Sequence, residues 1–173
     1  APESGSFVGG GDGNAVTSDN SSIVGGYNNT VNAQSENSII GGGQQNVLNG
    51  KYSVIAGGKL NFISLSGGVI GGGENNNVNG FNGAIIGGVR NRALSGGSTV
   101  TGGYDNCADG IAATVVGGRD NKARGAYSIV GGGYCNVSIG DHSSILGGSD
   151  NCIDGDHNTI AGGIRNSLQG SFN

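Results

Sequence analysis

The sequence predicts an all-β solenoid, in which the chain is wound into eleven short coils of about fifteen residues that stack in parallel. Three observations support this prediction. An asparagine recurs at a fixed interval, a β-branched residue stands six positions before each asparagine, and two consecutive glycines stand between them. No helical pattern of apolar residues occurs in the chain. We therefore expect two short strands in each coil, with glycine at the corners.

The asparagine column sets the period of the repeat. Successive members are fifteen residues apart, except for one step of seventeen from Asn29 to Asn46. Asparagine tolerates a left-handed backbone, and stacked amides hydrogen-bond along a stack of coils. We predict that this column is a structural ladder that forms a corner and has no catalytic role. Beyond Asn14 and Asn29, the ladder consists of Asn46, Asn61, Asn76, Asn91, Asn106, Asn121, Asn136, Asn151 and Asn166.

Two apolar columns are predicted to fill the interior. The first, six residues before each asparagine, contains only valine and isoleucine, which favour strands and disfavour helices. The second, two residues after each asparagine, is also mostly apolar and indicates a second strand facing the first. A glycine usually follows two residues later, as at Gly110, Gly125 and Gly140, which predicts a second corner.

The outward side of the first strand is unexpectedly apolar. Side chains alternate across a strand, so the residues on either side of the interior column should face water and be polar. These flanking positions instead pair one large apolar residue with a small residue, as in Ile129 with Gly131 and Ser144 with Leu146. Because a strand that is apolar on both faces is usually covered on both faces, we expect another chain or sheet to cover this one.

Charge and composition exclude several classes of function. The chain has 8 Lys and Arg residues against 12 Asp and Glu residues, a net charge of −4, so there is no basic footprint for nucleic acid. No apolar run approaches the roughly 20 residues of a membrane span, so we expect no membrane insertion by this segment. No Ser/His/Asp or Cys/His set has support in the pattern, so we expect no enzyme activity and no cofactor.

The domain organisation is predicted to be simple. Residues 1–6 form a lead-in, and residues 7–173 form one solenoid with a two-residue insertion near positions 33–37. The start at Ala1 lacks an initiator methionine and a signal peptide, so we expect a processed product or a piece of a longer chain. Since whole coils leave no residues for caps, we expect flanking domains or end-to-end neighbours to cover the ends.

The repeated phrases also resemble a known family. The phrases are SIVGGGYCNVSIG at 128–140, SIIGGGQQNVLNGKYS at 38–53 and TVVGGRDNKARGAYS at 114–128. They are similar to the head repeats of trimeric autotransporter adhesins, the YadA-like left-handed parallel β-roll, and to Gly/Asn-rich repeats of phage and large-DNA-virus fibres. The resemblance covers residues 6–173. It implies a parallel homotrimer whose outward apolar strand face packs around the threefold axis.

Together these observations predict a non-catalytic structural or adhesive segment of a fibre or adhesin head. It would project from a cell or virion into the extracellular space and contact a protein or glycan receptor. One alternative is a subunit of an extracellular filament that assembles end to end. A third alternative is an ice- or carbohydrate-binding solenoid monomer, which the second apolar face disfavours.

The dipeptides Asp141-His142 and Asp156-His157 occupy the variable turns of adjacent coils. In register, their carboxylates and imidazoles would stack about 5 Å apart, which could hold a divalent metal ion or respond to acid. No further ligands are evident, and both residue types are common in turns, so a solvated turn is the favoured alternative.

Aromatic residues mark two further candidate surfaces. Tyr104, Arg119 and Tyr134 share one column on successive coils, which predicts cation–π stacking and a surface for glycan or protein recognition. A ladder that only stiffens the rod is the favoured alternative. The second set lies in the variable turn and consists of Tyr52, Phe81, Tyr127 and Phe172. The insertion at 33–37 is either a contact site or a tolerated surface loop.

Overall fold

The computed structural model describes residues 4–171 of the chain. It confirms a parallel β-roll of eleven coils, and this part of the chain contains no helix. Each coil contributes two strands of two residues. The first strands are β1 (Phe7–Val8), β3 (Ser22–Ile23), β5 (Ile39–Ile40), β7 (Val54–Ile55), β9 (Val69–Ile70), β11 (Ala84–Ile85), β13 (Thr99–Val100), β15 (Thr114–Val115), β17 (Ile129–Val130), β19 (Ser144–Ile145) and β21 (Thr159–Ile160). The second strands are β2 (Ala15–Val16), β4 (Thr30–Val31), β6 (Val47–Leu48), β8 (Phe62–Ile63), β10 (Asn77–Val78), β12 (Arg92–Ala93), β14 (Cys107–Ala108), β16 (Lys122–Ala123), β18 (Val137–Ser138), β20 (Cys152–Ile153) and β22 (Ser167–Leu168).

These strands form two parallel sheets that run the length of the rod. The odd-numbered strands form the first sheet and the even-numbered strands form the second, each in sequence order. The repeat sets the register, so that Ile85 pairs with Val100, fifteen residues later. A third line of parallel bridges joins the residues two positions before each ladder asparagine, such as Tyr104 with Arg119. Every coil is thus bonded to its neighbour along three lines.

The core is a narrow double column between the two sheets. The two apolar columns predicted from the sequence lie inside, and from Ile23 to Val130 they form one continuous buried cluster. Val8 in the first coil is the exception, with 43% of its surface exposed, because no coil precedes it within the described residues. The side chains of the second column are smaller, alanine or serine, at Ala93, Ala108, Ala123 and Ser138.

The asparagine ladder is confirmed, but its bonding differs from a simple stack of amides. The Asn76 side-chain nitrogen donates to the carbonyl oxygens of Gly72 and Gly88, both at 2.9 Å. The Asn91 backbone N–H donates to Asn76 Oδ1 at 3.0 Å. One fully buried amide therefore satisfies backbone groups of its own coil and of the next coil.

The expectation that the asparagine itself adopts a left-handed backbone is wrong. The described residues include eighteen non-glycine residues with positive φ, all between 52° and 60°, and no ladder asparagine is among them. They occupy two columns, one immediately before the ladder asparagine and one nine positions before it, as at Leu60 and Tyr52. The ladder asparagine therefore follows the left-handed residue and does not itself adopt that conformation.

The two adjacent glycines of the first corner have different roles. The second glycine has φ between +83° and +106° in every coil, and in the first ten a Cβ added there would lie 2.0–2.3 Å from a carbonyl oxygen of the next coil. The first glycine has open space in most coils; at Gly87, for example, a Cβ would meet nothing within 4 Å. Tight stacking of the coils therefore requires one glycine of each pair.

A second buried polar ladder, which the sequence analysis missed, runs along the opposite corner. Its members stand eight residues before the ladder asparagine and are mostly serine. Ser38 Oγ donates to the Gly50 carbonyl at 2.9 Å and accepts the Ser53 backbone N–H at 3.0 Å. The hydroxyls of Ser21, Ser53 and Ser143 bridge neighbouring coils in the same way. Ser98 instead bonds within its own turn, and Ser128 Oγ has no hydrogen-bond partner in the described part of the chain.

The two-residue insertion is accommodated locally. Ala33 and Gln34 form an additional turn, closed where the Ser35 N–H donates to the Asn32 carbonyl at 3.1 Å. Ser35 Oγ donates to the Leu48 carbonyl of the next coil at 2.9 Å. Strand pairing continues across the insertion, with Ile23 opposite Ile40.

Of the predicted lead-in 1–6, residues 1–3 lie outside the described part, and the Ser4 carbonyl accepts the Asn20 N–H at 2.8 Å. Cys107, Cys135 and Cys152 are free thiols, and burial raises the pKa of Cys107. Within residues 4–171 there is no helix of the length and apolarity that a membrane crossing requires.

Candidate functional site

The predicted tyrosine–arginine column is stacked as expected. The Arg119 guanidinium carbon lies 5.3 Å from the Tyr104 ring centroid and 5.9 Å from that of Tyr134. Arg90 adds a contact that sequence reasoning missed, at 4.6 Å from the Tyr104 ring. It projects from the left-handed column next to the tyrosines. The result is an exposed alternating stack of rings and guanidinium groups, with Arg90 also paired to Asp105 at 2.9 Å.

The stack is held in place by neighbouring charges and bonds. The Arg119 Nε lies 3.0 Å from a carboxylate oxygen of Asp120, which leaves the flat guanidinium between the two rings. A side-chain hydrogen bond with Cys135 raises the pKa of Tyr134. Because each pairing is solvent-exposed, each contributes little stability by itself, and the stack offers a flat, polar surface for contacts.

The two predicted histidines belong to a row of stacked rings and do not form a metal centre. The rings of Tyr127, His142 and His157 stack in one row, with 5.0 Å between successive centroids and planes within 10° of parallel. Two imidazoles that bind one zinc ion direct in-plane nitrogen lone pairs at a common point, whereas the planes of His142 and His157 are stacked and within 3° of parallel, so they do not converge on one ion. Among the described residues, no group of three or more His, Cys, Asp and Glu side chains could hold a metal ion.

The two aspartates of these turns are used by the backbone. Asp141 Oδ1 accepts the Ala126 N–H at 2.7 Å, and Asp156 Oδ1 accepts the Asp141 N–H at 2.8 Å. Each carboxylate therefore ties its own turn to the turn of the preceding coil. The geometry favours a turn-stabilising role for Asp141, His142, Asp156 and His157 over a metal site.

The remaining turn aromatics differ in their surroundings. Tyr52 is exposed and lies in a left-handed turn position. Phe81 is 57% exposed and lines a groove of about 410 Å³. Gln34 of the insertion and Asn49 line the same groove. Phe172 lies outside the described residues. The structure thus connects one predicted aromatic residue with the predicted insertion, which sequence spacing alone did not do.

The outer face of the first sheet is a further candidate surface. Nine of its eleven coils expose one large apolar side chain there. These side chains are Phe7, Val24, Ile39, Val54, Val69, Ile86, Val116, Ile129 and Leu146. The twenty-two positions that flank the interior column on this face contain no charged residue. We call this surface the apolar face.

The outer face of the second sheet is different. Its corresponding positions, one and three residues after each ladder asparagine, include five charged residues. These are Arg92, Asp109, Lys122, Arg124 and Asp154. The contrast shows that the apolar face is not a property of solenoid coils in general, because the same chain builds a charged outer face on its other sheet.

Comparisons with known proteins identify no relative. No family model matches the chain, and no curated protein matches it significantly.

Proposed function

We propose that this chain is a non-catalytic rod of a fibre or adhesin head, a left-handed β-roll whose copies associate through the apolar face into a parallel homotrimer. The rod projects from a cell or virion surface into the extracellular space and contacts a surface receptor. The resemblance of the repeated phrases to adhesin heads and viral fibres supports this role, and the apolar face is the single observation that carries it.

The apolar face favours association with another protein surface. Soluble monomers rarely expose continuous apolar patches of more than a few hundred Å², and such patches mark interaction sites. Burial stabilises an interface by about 25 cal/mol for each Å² of apolar surface removed from water. With no charged side chain on this face, no ion pair is lost and no charge is desolvated when it is covered.

A second copy of the chain fits this face by its volume pattern. In each coil a large side chain on one side of the interior column usually accompanies a small residue on the other, as with Val69 and Gly71. In-register parallel copies place these two columns beside each other, so that large side chains meet small ones. Because all copies have the same repeat length, this fit of large against small side chains continues along the rod.

A matched pair of substitutions tests the trimer. Ile129 on the apolar face and Ile139 on the outer face of the second sheet are 41% and 40% exposed, so lysine at either position replaces an isoleucine of similar exposure in the isolated chain. Analytical ultracentrifugation should give a trimer for the wild type and for Ile139→Lys, and a monomer for Ile129→Lys. A monomeric wild type at micromolar concentration, or a trimer for both variants, would contradict the proposal. Long polymers would favour the end-to-end filament instead.

A further inference from the structure

Two adjoining grooves lie at the two-residue insertion. One groove of about 410 Å³ lies beside the extra turn, and a second of about 400 Å³ lies next to it. Gln34 and Asn49 line both. Gln34 belongs to the inserted turn and forms a wall at one end, whereas Phe81 lies three coils further along. The groove therefore runs parallel to the rod for about 14 Å, at about 4.8 Å for each coil.

The polar groups in this groove have unused hydrogen-bonding capacity. No hydrogen bond to another described residue holds the side chains of Gln34 or Ser66. Asn49 accepts a bond from Asn32 Nδ2 on its side-chain oxygen, which leaves its NH₂ group as a donor. Amides and hydroxyls both donate and accept, which is the capacity needed to bind neighbouring hydroxyl groups.

The groove also has apolar surface of the kind that a sugar ring contacts. Phe81 presents an exposed ring at one end, and Leu65 lies partly exposed along the groove. Ligand sites typically combine aromatic and apolar walls with a few polar groups that fix orientation. The spacing of about 4.8 Å between successive coils is close to the length of one pyranose ring, so an extended oligosaccharide can follow the rod axis across these residues.

The charge of the groove favours a neutral ligand. Lys51 contributes its only cationic group, and this ammonium lies 2.9 Å from a carboxylate oxygen of Glu36. Hydrogen bonding between the two side chains lowers the pKa of Glu36 and raises that of Lys51, so the pair stays ionised and mutually compensated. An acidic ligand would have to compete with Glu36 for the lysine.

We infer that the groove between Gln34 and Phe81 binds a neutral oligosaccharide, whose ring packs on Phe81 and whose hydroxyls bond to Gln34, Asn49 and Ser66. This inference rests on the proposed adhesive role and specifies the class of its receptor. It assigns a function to the insertion, the one interruption of an otherwise regular repeat.

The test uses the whole chain on a printed array of neutral and acidic oligosaccharides, followed by calorimetric titration of the neutral glycan bound best. Phe81→Ala should weaken that binding about tenfold or more, the size of one lost aromatic contact. Deleting Ala33 and Gln34, which restores the fifteen-residue step, should abolish it. Ile111→Ala is the control, because Ile111 is 60% exposed in the same turn column as Phe81, two coils further along. Its binding should equal that of the wild type.

The outcomes separate this inference from the proposed function. Binding to no glycan, binding to acidic glycans alone, or equal binding by Phe81→Ala would overturn the inference. Ultracentrifugation of the same samples reports independently on the trimer. A trimer that binds no glycan contradicts the groove alone, whereas a monomer that binds a neutral glycan in a Phe81-dependent manner contradicts the trimer and supports the groove.

Discussion

The two glycines of one corner, Gly87 and Gly88, should respond very differently to alanine. At Gly88, φ is +88° and an added Cβ would lie 2.3 Å from the carbonyl oxygen of Gly103 and 2.5 Å from the side-chain nitrogen of Asn91. At Gly87 the same atom would enter open space. The adjacent residues are therefore a test and its control within one turn.

The cost at Gly88 has three parts. A left-handed backbone costs an alanine about 1–2 kcal/mol. Moving the next coil away from the Cβ costs about 1–3 kcal/mol, as in other overpacked sites. Moving that coil also weakens the hydrogen bond from Asn91 Nδ2 to the Gly103 carbonyl oxygen, which is 3.1 Å long in the structure. The loss of this bond costs about 1 kcal/mol. We expect Gly88→Ala to destabilise the protein by about 4 kcal/mol, and Gly87→Ala to change its stability by less than about 1 kcal/mol.

Thermal unfolding followed by far-ultraviolet circular dichroism measures this difference. For a chain of this size, 4 kcal/mol corresponds to a fall in melting temperature of about 12 °C. All samples need the same protein concentration, because association would also raise the melting temperature. Equal melting temperatures for the two variants would refute the reasoning, since they would mean that neighbouring coils are not stacked as closely as described.

Two further predictions concern the ladder and the left-handed turns. Asn76→Ala should cost about 3 kcal/mol, because it removes two buried hydrogen bonds and leaves the Asn91 N–H without its acceptor; urea unfolding should show a much smaller effect for the exposed Asn79→Ala. An equal effect of the two would contradict the ladder's structural role. Leu60→Asn should stabilise the protein by up to about 1 kcal/mol, because asparagine tolerates the φ of 56° better than leucine. A lower melting temperature for this variant would contradict the prediction. It would show that the contacts of the Leu60 side chain stabilise the fold by more than its left-handed backbone destabilises it.

The period and the interior columns were predictable because they follow from one rule. In a parallel stack each residue lies above its equivalent in the next coil, so a fifteen-residue repeat in the sequence is also the strand register. Columns of valine and isoleucine then identify the interior, since polar side chains could not be buried there without partners. The same alternation correctly placed Ile129 outside and Val130 inside.

Residue type gave a partial signal for the left-handed positions, because ten of the eighteen non-glycine residues there are Asn, Asp or His, which tolerate this conformation best. Gln45, Leu60 and Arg90 all adopt φ near 55°, although none of these residue types favours it. At these three positions stacking between coils imposes the conformation, and the residue type alone carries no signal for it. The serine ladder was missed for a related reason, because its acceptors are backbone carbonyls of other coils, which every residue possesses.

The candidate surfaces were predictable where all of their residues belong to one column of the repeat. The contacts of Arg119 with Tyr104 and Tyr134 follow directly from residues fifteen apart. Arg90 was missed because it reaches the stack from an adjacent column. The groove was missed because it combines Gln34 with residues of three later coils, and its shape depends on how the additional turn is folded.

The order of bulky groups on the apolar face has a consequence for alignment between copies. The large residue precedes the interior column in coils such as those of Val54 and Val69, and follows it in coils such as those of Ile86 and Val116. These two arrangements succeed each other without a regular period along the rod. Two copies shifted by one coil would therefore bring large side chains together at some levels and leave gaps at others. In the proposed trimer, this irregular order would therefore allow only one axial position between copies, although the coils themselves are nearly identical.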